Sequence, residues 1–253
     1  MDRSFRALVK RVAVAIADHD LICDGDRIAI GLSGGKDSLV LLRVLLHLKR
    51  VAPIDFDIAA LTVDPGWGTD YGPLLQFTRS LGVRHEIITT QIGQVVFHVR
   101  KEKNPCSLCA NMRRGALHST ASAMGYNKVA LAHHLDDAVE TLLMNTFFSA
   151  QLATFPIRAY LTKKQVTVVR PLAYCTESSI REVADSLGLP VLRADCPIAG
   201  RTVRAEMKTI IENLRSAHDK VDESLLAAMR SYWRKSRGDY LRAQWEAVGE
   251  SEP

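Results

Sequence analysis

The run Ser33-Gly34-Gly35-Lys36-Asp37-Ser38 lies between two apolar segments and dictates how this part of the chain folds. Before it, Arg27-Ile28-Ala29-Ile30-Gly31-Leu32 reads as a buried strand. After it, Leu39-Val40-Leu41-Leu42 reads as the start of a helix. A strand, a glycine turn and a helix start bring free backbone N–H groups and the positive end of a helix dipole to one point, which is an anion site. Gly34 and Gly35 allow close backbone approach to a phosphate. Ser33 and Ser38 add hydroxyl donors, and Lys36 adds a point charge. Asp37 makes no sense in a pure anion cradle. It does if a divalent metal is held beside the phosphates.

The rest of the chain repeats the strand-and-helix rhythm. Strands are expected at Arg27–Leu32, Asp57–Val63, Arg84–Thr89, Lys128–Ala132, Val166–Arg170 and Pro190–Leu192. Leu81-Gly82, Met124-Gly125 and Leu187-Gly188 each close a helical run just before a strand, where glycine supplies a left-handed cap. Such alternation predicts an α/β fold, a doubly wound, Rossmann-like parallel sheet. Ligands on these sheets bind at the carboxyl ends of the strands. Ser33–Ser38, Asp64 and 133–137 all fall at such ends.

Residues 1–20 read as an amphipathic helix with Phe5, Leu8, Val9, Val12 and Ile16 on one face. Residues 151–164 carry little pattern and read as a loop over the cleft. The expected organisation is one domain over 1–219, including the N-terminal helix, and a helical tail over 220–253. Arg230, Arg234, Lys235 and Arg237 of that tail are expected on a solvated face. With 253 residues and 47% hydrophobic content, the chain suffices for one sizeable core. No apolar run reaches membrane-spanning length and no signal-peptide core opens the sequence, so a cytoplasmic location is expected. A net charge of +5 favours a polyanionic partner without proving one.

The second chemistry-bearing run is Ala132-His133-His134-Leu135-Asp136-Asp137-Ala138-Val139-Glu140-Thr141. Two histidines, two aspartates and a glutamate crowd the start of one helix. Asp137 with Glu140 fits a capping box. Capping alone does not need His133, His134 and Asp136 together. A carboxylate pair facing the phosphate loop would hold Mg²⁺ against a nucleotide or serve base chemistry.

Five cysteines, an odd number, argue against a disulfide framework. Cys106-Ser107-Leu108-Cys109 is the only CxxC, which excludes a zinc ribbon of two such pairs. A thioredoxin pair would follow the first strand of its fold. That leaves a three-cysteine site with Cys196 as the best third ligand, because it follows the last expected strand. Cys23 and Cys175 are expected to be structural.

The first run resembles the SGGxDS signature of the PP-loop ATP pyrophosphatases. It is not a Walker A loop, since Ile30 stands where that motif needs glycine. HHxDDxxET is similar to the second signature of PP-loop tRNA-modifying enzymes. Asn104-Pro105-Cys106-Ser107-Leu108-Cys109 with Met112-Arg113-Arg114-Gly115, and Val169-Arg170-Pro171-Leu172, resemble the tRNA 2-thiocytidine synthetase group. The resemblance implies an adenylating sulfurtransferase that forms AMP and pyrophosphate. ATP would be held by Ser33, Gly34, Gly35, Lys36, Asp37, Ser38, Asp64 and His133. Mg²⁺ would sit near Asp37 and Asp137, with Lys36, Asp37, Asp136 and Asp137 as the catalytic set. Cys106, Cys109 and Cys196 would bind a [4Fe-4S] cluster that supplies sulfide. Expected partners are tRNA, a sulfur donor such as a cysteine desulfurase or free sulfide, and a second copy in a homodimer, with no membrane. Arg113, Arg114, Arg201, Arg204 and Lys208 are expected to face RNA phosphates. The competing readings are a PP-loop thiolase or ligase with another acceptor, and a nucleotide-binding module without turnover.

Overall fold

Six strands pair into one sheet: β1 (Asp26–Gly31), β2 (Phe56–Asp64), β3 (Arg84–Thr89), β4 (Lys128–Ala130), β5 (Arg158–Leu161) and β6 (Val166–Val169). The computed structural model describes residues 2–100, 105–192 and 203–249, with the backbone alone at 98 and 236–249. The strand order is β3-β2-β1-β4-β6-β5, and every pairing except β5 with β6 is parallel. The order reverses between β1 and β4. In an open parallel sheet that point splits two crossover connections and leaves a crevice at the strand ends.

The helices are α1 (Arg3–His19), α2 (Lys36–Val51), α3 (Gly72–Ser80), α4 (Ile92–Gln94), α5 (Pro105–Ala123), α6 (Leu135–Ser149), α7 (Glu177–Ser186), α8 (Val203–Ala217) and α9 (Val221–Gly249). They cover both faces, so the central strands carry continuous apolar runs rather than alternation. Ile28, Ala29 and Ile30 of β1 are fully buried, as are Leu39 to Leu42 of α2. Phe5, Leu8, Val9 and Val12 of α1 are buried as its amphipathic pattern requires, and Ile16 is partly buried. Gly82, Gly125 and Gly188 have the positive φ expected of helix-ending glycines.

Three expectations need correction. Pro190–Leu192 forms no strand; this extended segment instead docks on the glycine turn, with Leu192 N donating to the Gly34 carbonyl at 2.9 Å. Proline at its start has no N–H for a ladder. The loop expected over 151–164 contains β5, a four-residue edge strand with Tyr160 exposed, too short and too half-exposed to show a period. The C-terminal helix does not have a merely solvated basic face. Met229 and Trp233 of α9 are buried, and Arg230 pairs with Asp18 of α1 at 2.7 Å. A buried Trp removes roughly 150–250 Å² from water, about 4–6 kcal/mol before ordering costs.

Candidate active site

The carboxyl ends of β1 and β4 open into a cavity of about 520 Å³. This is within the range of small-molecule sites. Its wall includes Leu61 and Val63 of β2, Arg204 of α8 and three further groups. Ser33, Asp37 and Ser38 come from the β1–α2 turn, and His133 and Asp137 from the β4–α6 junction. Ala110, Arg113, Arg114 and Leu117 come from α5.

The β1–α2 turn is built as the sequence demands. Gly34 sits at φ +82°, which L side chains rarely adopt, and a Cβ there would meet Leu192 at 3.0 Å. Gly35 is the N-cap of α2 and provides no side-chain cap. Ser38 Oγ donates to the Gly35 carbonyl at 2.9 Å, lies 3.2 Å from Ser33 Oγ, and accepts from Ser33 N at 3.2 Å. The hydroxyls thus brace the turn. Asp37 Oδ1 is buried without a hydrogen-bond donor, the nearest cation being Lys36 Nζ at 3.1 Å. Lys36 is not part of the cavity wall. It bridges Asp37 and Glu177 Oε1, the latter at 3.0 Å. Burial would raise the Glu177 carboxyl, but Lys208 and Lys36 together hold it down at about 2.

The β4–α6 junction separates the two aspartates. Asp137 faces the cavity; Asp136 is buried away from it. Asp136 accepts from Glu177 N at 2.8 Å and from Arg215 at 2.6 Å, so it joins α6 to α7 and α8. The capping box lies one turn earlier than the Asp137–Glu140 pair expected. His134 is the N-cap, and its backbone N–H and ring engage Asp137. Glu140 is instead buried, with its carboxyl raised by desolvation and partly restored by Arg204 at 2.8 Å. Asp64 caps its own turn, accepting from Gly66 N at 2.9 Å, and lies outside the cavity wall.

A profile of the PP-loop domain matches residues 5–193. The tRNA-cytidine(32) 2-sulfurtransferase of Pelobacter propionicus is 38% identical over 89% of this chain and 85% of its own length. The chain belongs to this PP-loop family. The Deinococcus radiodurans member of that name is 41% identical over 82% of this chain and 70% of its own. The fold is that of a solved U34-tRNA thiolase from Methanococcus maripaludis, described with its [4Fe-4S] cluster. The match has a TM-score of 0.74 and 22% identity, covering 91% of this chain and 79% of that one.

In this PP-loop protein Cys106 and Cys109 lie on the first turn of α5. They stand four residues before Ala110 and Arg113, so helical periodicity puts them on the cavity-facing stripe, one turn nearer the open end. Two thiols three apart on one helix face suit a shared metal centre. Cys196 and Arg201 lie outside the described residues. Cys175 is fully buried, and desolvation pushes its thiol up to about 12. Cys23 is exposed, with Lys128 Nζ 3.8 Å from its sulfur. Arg204 and Lys208 do not stand free for RNA: Arg204 pairs with Asp137 and Glu140, and Lys208 with Glu177 at 2.6 Å.

Sequence reasoning missed Arg170 and Phe155. Arg170 donates to His133 Nδ1 at 3.2 Å and to the Pro156 carbonyl at 2.6 Å, and lies 4.8 Å from the Phe155 ring centroid. Burial and the Arg170 charge lower His133 to about 4. The signal was present in Val169-Arg170-Pro171-Leu172, which alone could not say what Arg170 touches.

Proposed function

We propose that the chain is an ATP-dependent tRNA sulfurtransferase that replaces the 2-oxygen of a cytidine in tRNA with sulfur. The observation that carries this reading is one cavity walled by both signature runs and by the helix that bears the CxxC. The similarity to tRNA-cytidine(32) 2-sulfurtransferases supports the acceptor. The similarity to a thiolase solved with its [4Fe-4S] cluster supports the cluster.

In this reading the N–H groups of the Ser33–Ser38 turn and the open α2 terminus bind ATP phosphates. Asp37 and Asp137 would hold Mg²⁺. Among the described residues no group of three or more metal-binding side chains occurs. Mg²⁺ commonly takes one or two carboxylates plus substrate phosphates, and the buried Asp37 oxygen, which has an ion pair with Lys36 but no hydrogen-bond donor, fits that donor set. The cytidine carbonyl oxygen attacks the α phosphate, and pyrophosphate leaves. Sulfide then displaces AMP at the ring carbon, taking the oxygen away with the nucleotide. Adenylation is needed because a ring oxygen is a poor leaving group and AMP is a good one. Cys106, Cys109 and Cys196 would hold a [4Fe-4S] cluster, which supplies an open iron able to carry sulfide.

Arg113 and Arg114 would steady RNA phosphates at the cavity mouth. A cytoplasmic setting, a separate sulfur donor and a homodimer complete the reading. Among the described residues no helix is long and apolar enough to cross a membrane. The test is mass spectrometry of tRNA nucleosides from a deletion strain, with and without the gene restored. Loss of 2-thiocytidine, recovered on complementation, supports the proposal; an unchanged nucleoside profile overturns the acceptor. Anaerobically purified protein should hold about four irons. Ser replacement of Cys106 or Cys109 should remove them, and Cys23→Ser should not.

A further inference from the structure

Arg170 is only 7% exposed and takes no part in the cavity wall, yet it is tied to that wall from behind. Its Nε–H meets His133 Nδ1, its Nη1–H meets the Pro156 carbonyl, and its plane lies against Phe155. The Phe155 ring in turn lies 5.1 Å from the His133 ring. The Phe155 carbonyl accepts the Nε1–H of Trp233 at 3.0 Å, and Trp233 is 1% exposed. Packing and hydrogen bonds therefore hold the guanidinium on three sides.

We propose that Arg170 is a positioning residue that holds His133 as the neutral Nε2–H tautomer, so that the imidazole offers the cavity a hydrogen-bond donor. An arginine side chain only donates, so the nitrogen facing it must present a lone pair. With Nδ1 accepting, a neutral ring carries its proton on Nε2. The surroundings agree. Burial, Arg170, Arg204 and His134 all oppose a charged ring, and only Asp137 favours one. Burial pulls Arg170 itself down to about 10, which leaves it a cation at neutral pH.

A neutral donor suits an oxygen that gains negative charge during reaction, such as one on the attacked phosphate. It also excludes His133 Nε2 as the proton acceptor for the incoming nucleophile. That the ligand is a nucleotide phosphate rests on the proposed function; the tautomer does not. Lysine cannot replace Arg170, because it lacks the planar fork that spans Nδ1 and the Pro156 carbonyl together.

The test is two-bond ¹H–¹⁵N NMR of histidine-labelled full-length protein without nucleotide, the ring assigned with His133→Gln. His133 should show the Nε2–H pattern alone from about pH 8 to about pH 5, above its lowered value of about 4. Arg170→Lys should give mixed tautomers. It should also lower kcat for pyrophosphate release about tenfold or more, the usual cost of losing an orienting partner, with a smaller change in KM for ATP. An Nδ1–H or protonated His133 in the wild-type protein at neutral pH overturns the proposal even if the variant fails to fold. So does an Arg170→Lys spectrum that keeps one tautomer. Wild-type protein that releases no pyrophosphate would count against the proposed function, and the wild-type spectrum would still decide the role of Arg170.

Discussion

Two helices begin at the same cavity, and their N-termini are finished in opposite ways. The α2 terminus starts at Gly35 with no side-chain cap, and Asp37 on its first turn keeps a buried oxygen without a donor. The α6 terminus is closed by its own residues: His134 and Asp137 cap one another, Asp136 is held by Glu177 N and Arg215, and Glu140 is held by Arg204. Each helix needs partners for its first N–H groups. At α6 the protein supplies them, so the acidic run there is largely scaffold. At α2 the glycines withhold them, which suits phosphate oxygens supplied by a ligand. A crowd of charged residues is thus a weaker sign of ligand binding than a terminus left bare.

Breaking the bare terminus should have the largest effect. Asp37→Ala is expected to abolish pyrophosphate release while the melting temperature changes little, read by a coupled phosphate assay and by circular dichroism. Full turnover in that variant would remove the contrast between the two termini. Next comes the scaffold. Asp136→Asn strips the buried Arg215 contact and weakens the acceptor for Glu177 N. It should cost about 2 kcal/mol in urea unfolding, with a smaller effect on pyrophosphate release than Asp37→Ala.

A smaller effect is expected at the mouth. Arg113→Glu should weaken tRNA binding and reduce the log–log salt slope by about one, read by filter binding across a salt series. The smallest effect lies at the Lys36–Glu177–Lys208 link between the two regions. The folded Glu177 value, about 2, is below its ordinary 4.5. Its stabilisation is therefore present above 4.5 and is lost as pH falls toward 2. Unfolding followed between those limits should show a shallower loss in Lys208→Met than in the wild-type protein.

The parallel sheet and the open terminus were legible because backbone rules specify them. Apolar runs of strand length, glycines at helix ends and Ser33–Ser38 all act through local chemistry. What escaped depended on partners far away in sequence. Asp136 and Asp137 are adjacent and chemically identical, and distant partners, Glu177 N and Arg215 on Asp136 and Arg204 on Asp137, decide which one leaves the cavity. Arg230 on a polar helix face reads as solvated until Asp18 is brought to it. Strand β5 has four residues, too few to show a period, and the Pro190–Leu192 segment is apolar yet bonds to the turn at Gly34.

The clasp between the first and last helices bears on synthesis. Asp18 and Arg230 are 212 positions apart, and Tyr174 joins them through its hydroxyl to Asp18 and a stacked contact with Trp233. Contacts of such separation form late, because a long loop must close first. All six strands precede α9 in the chain, so until α9 is made and docks the Phe155 carbonyl lacks the indole that fixes it. The nascent chain can therefore assemble its sheet before the support behind His133 exists.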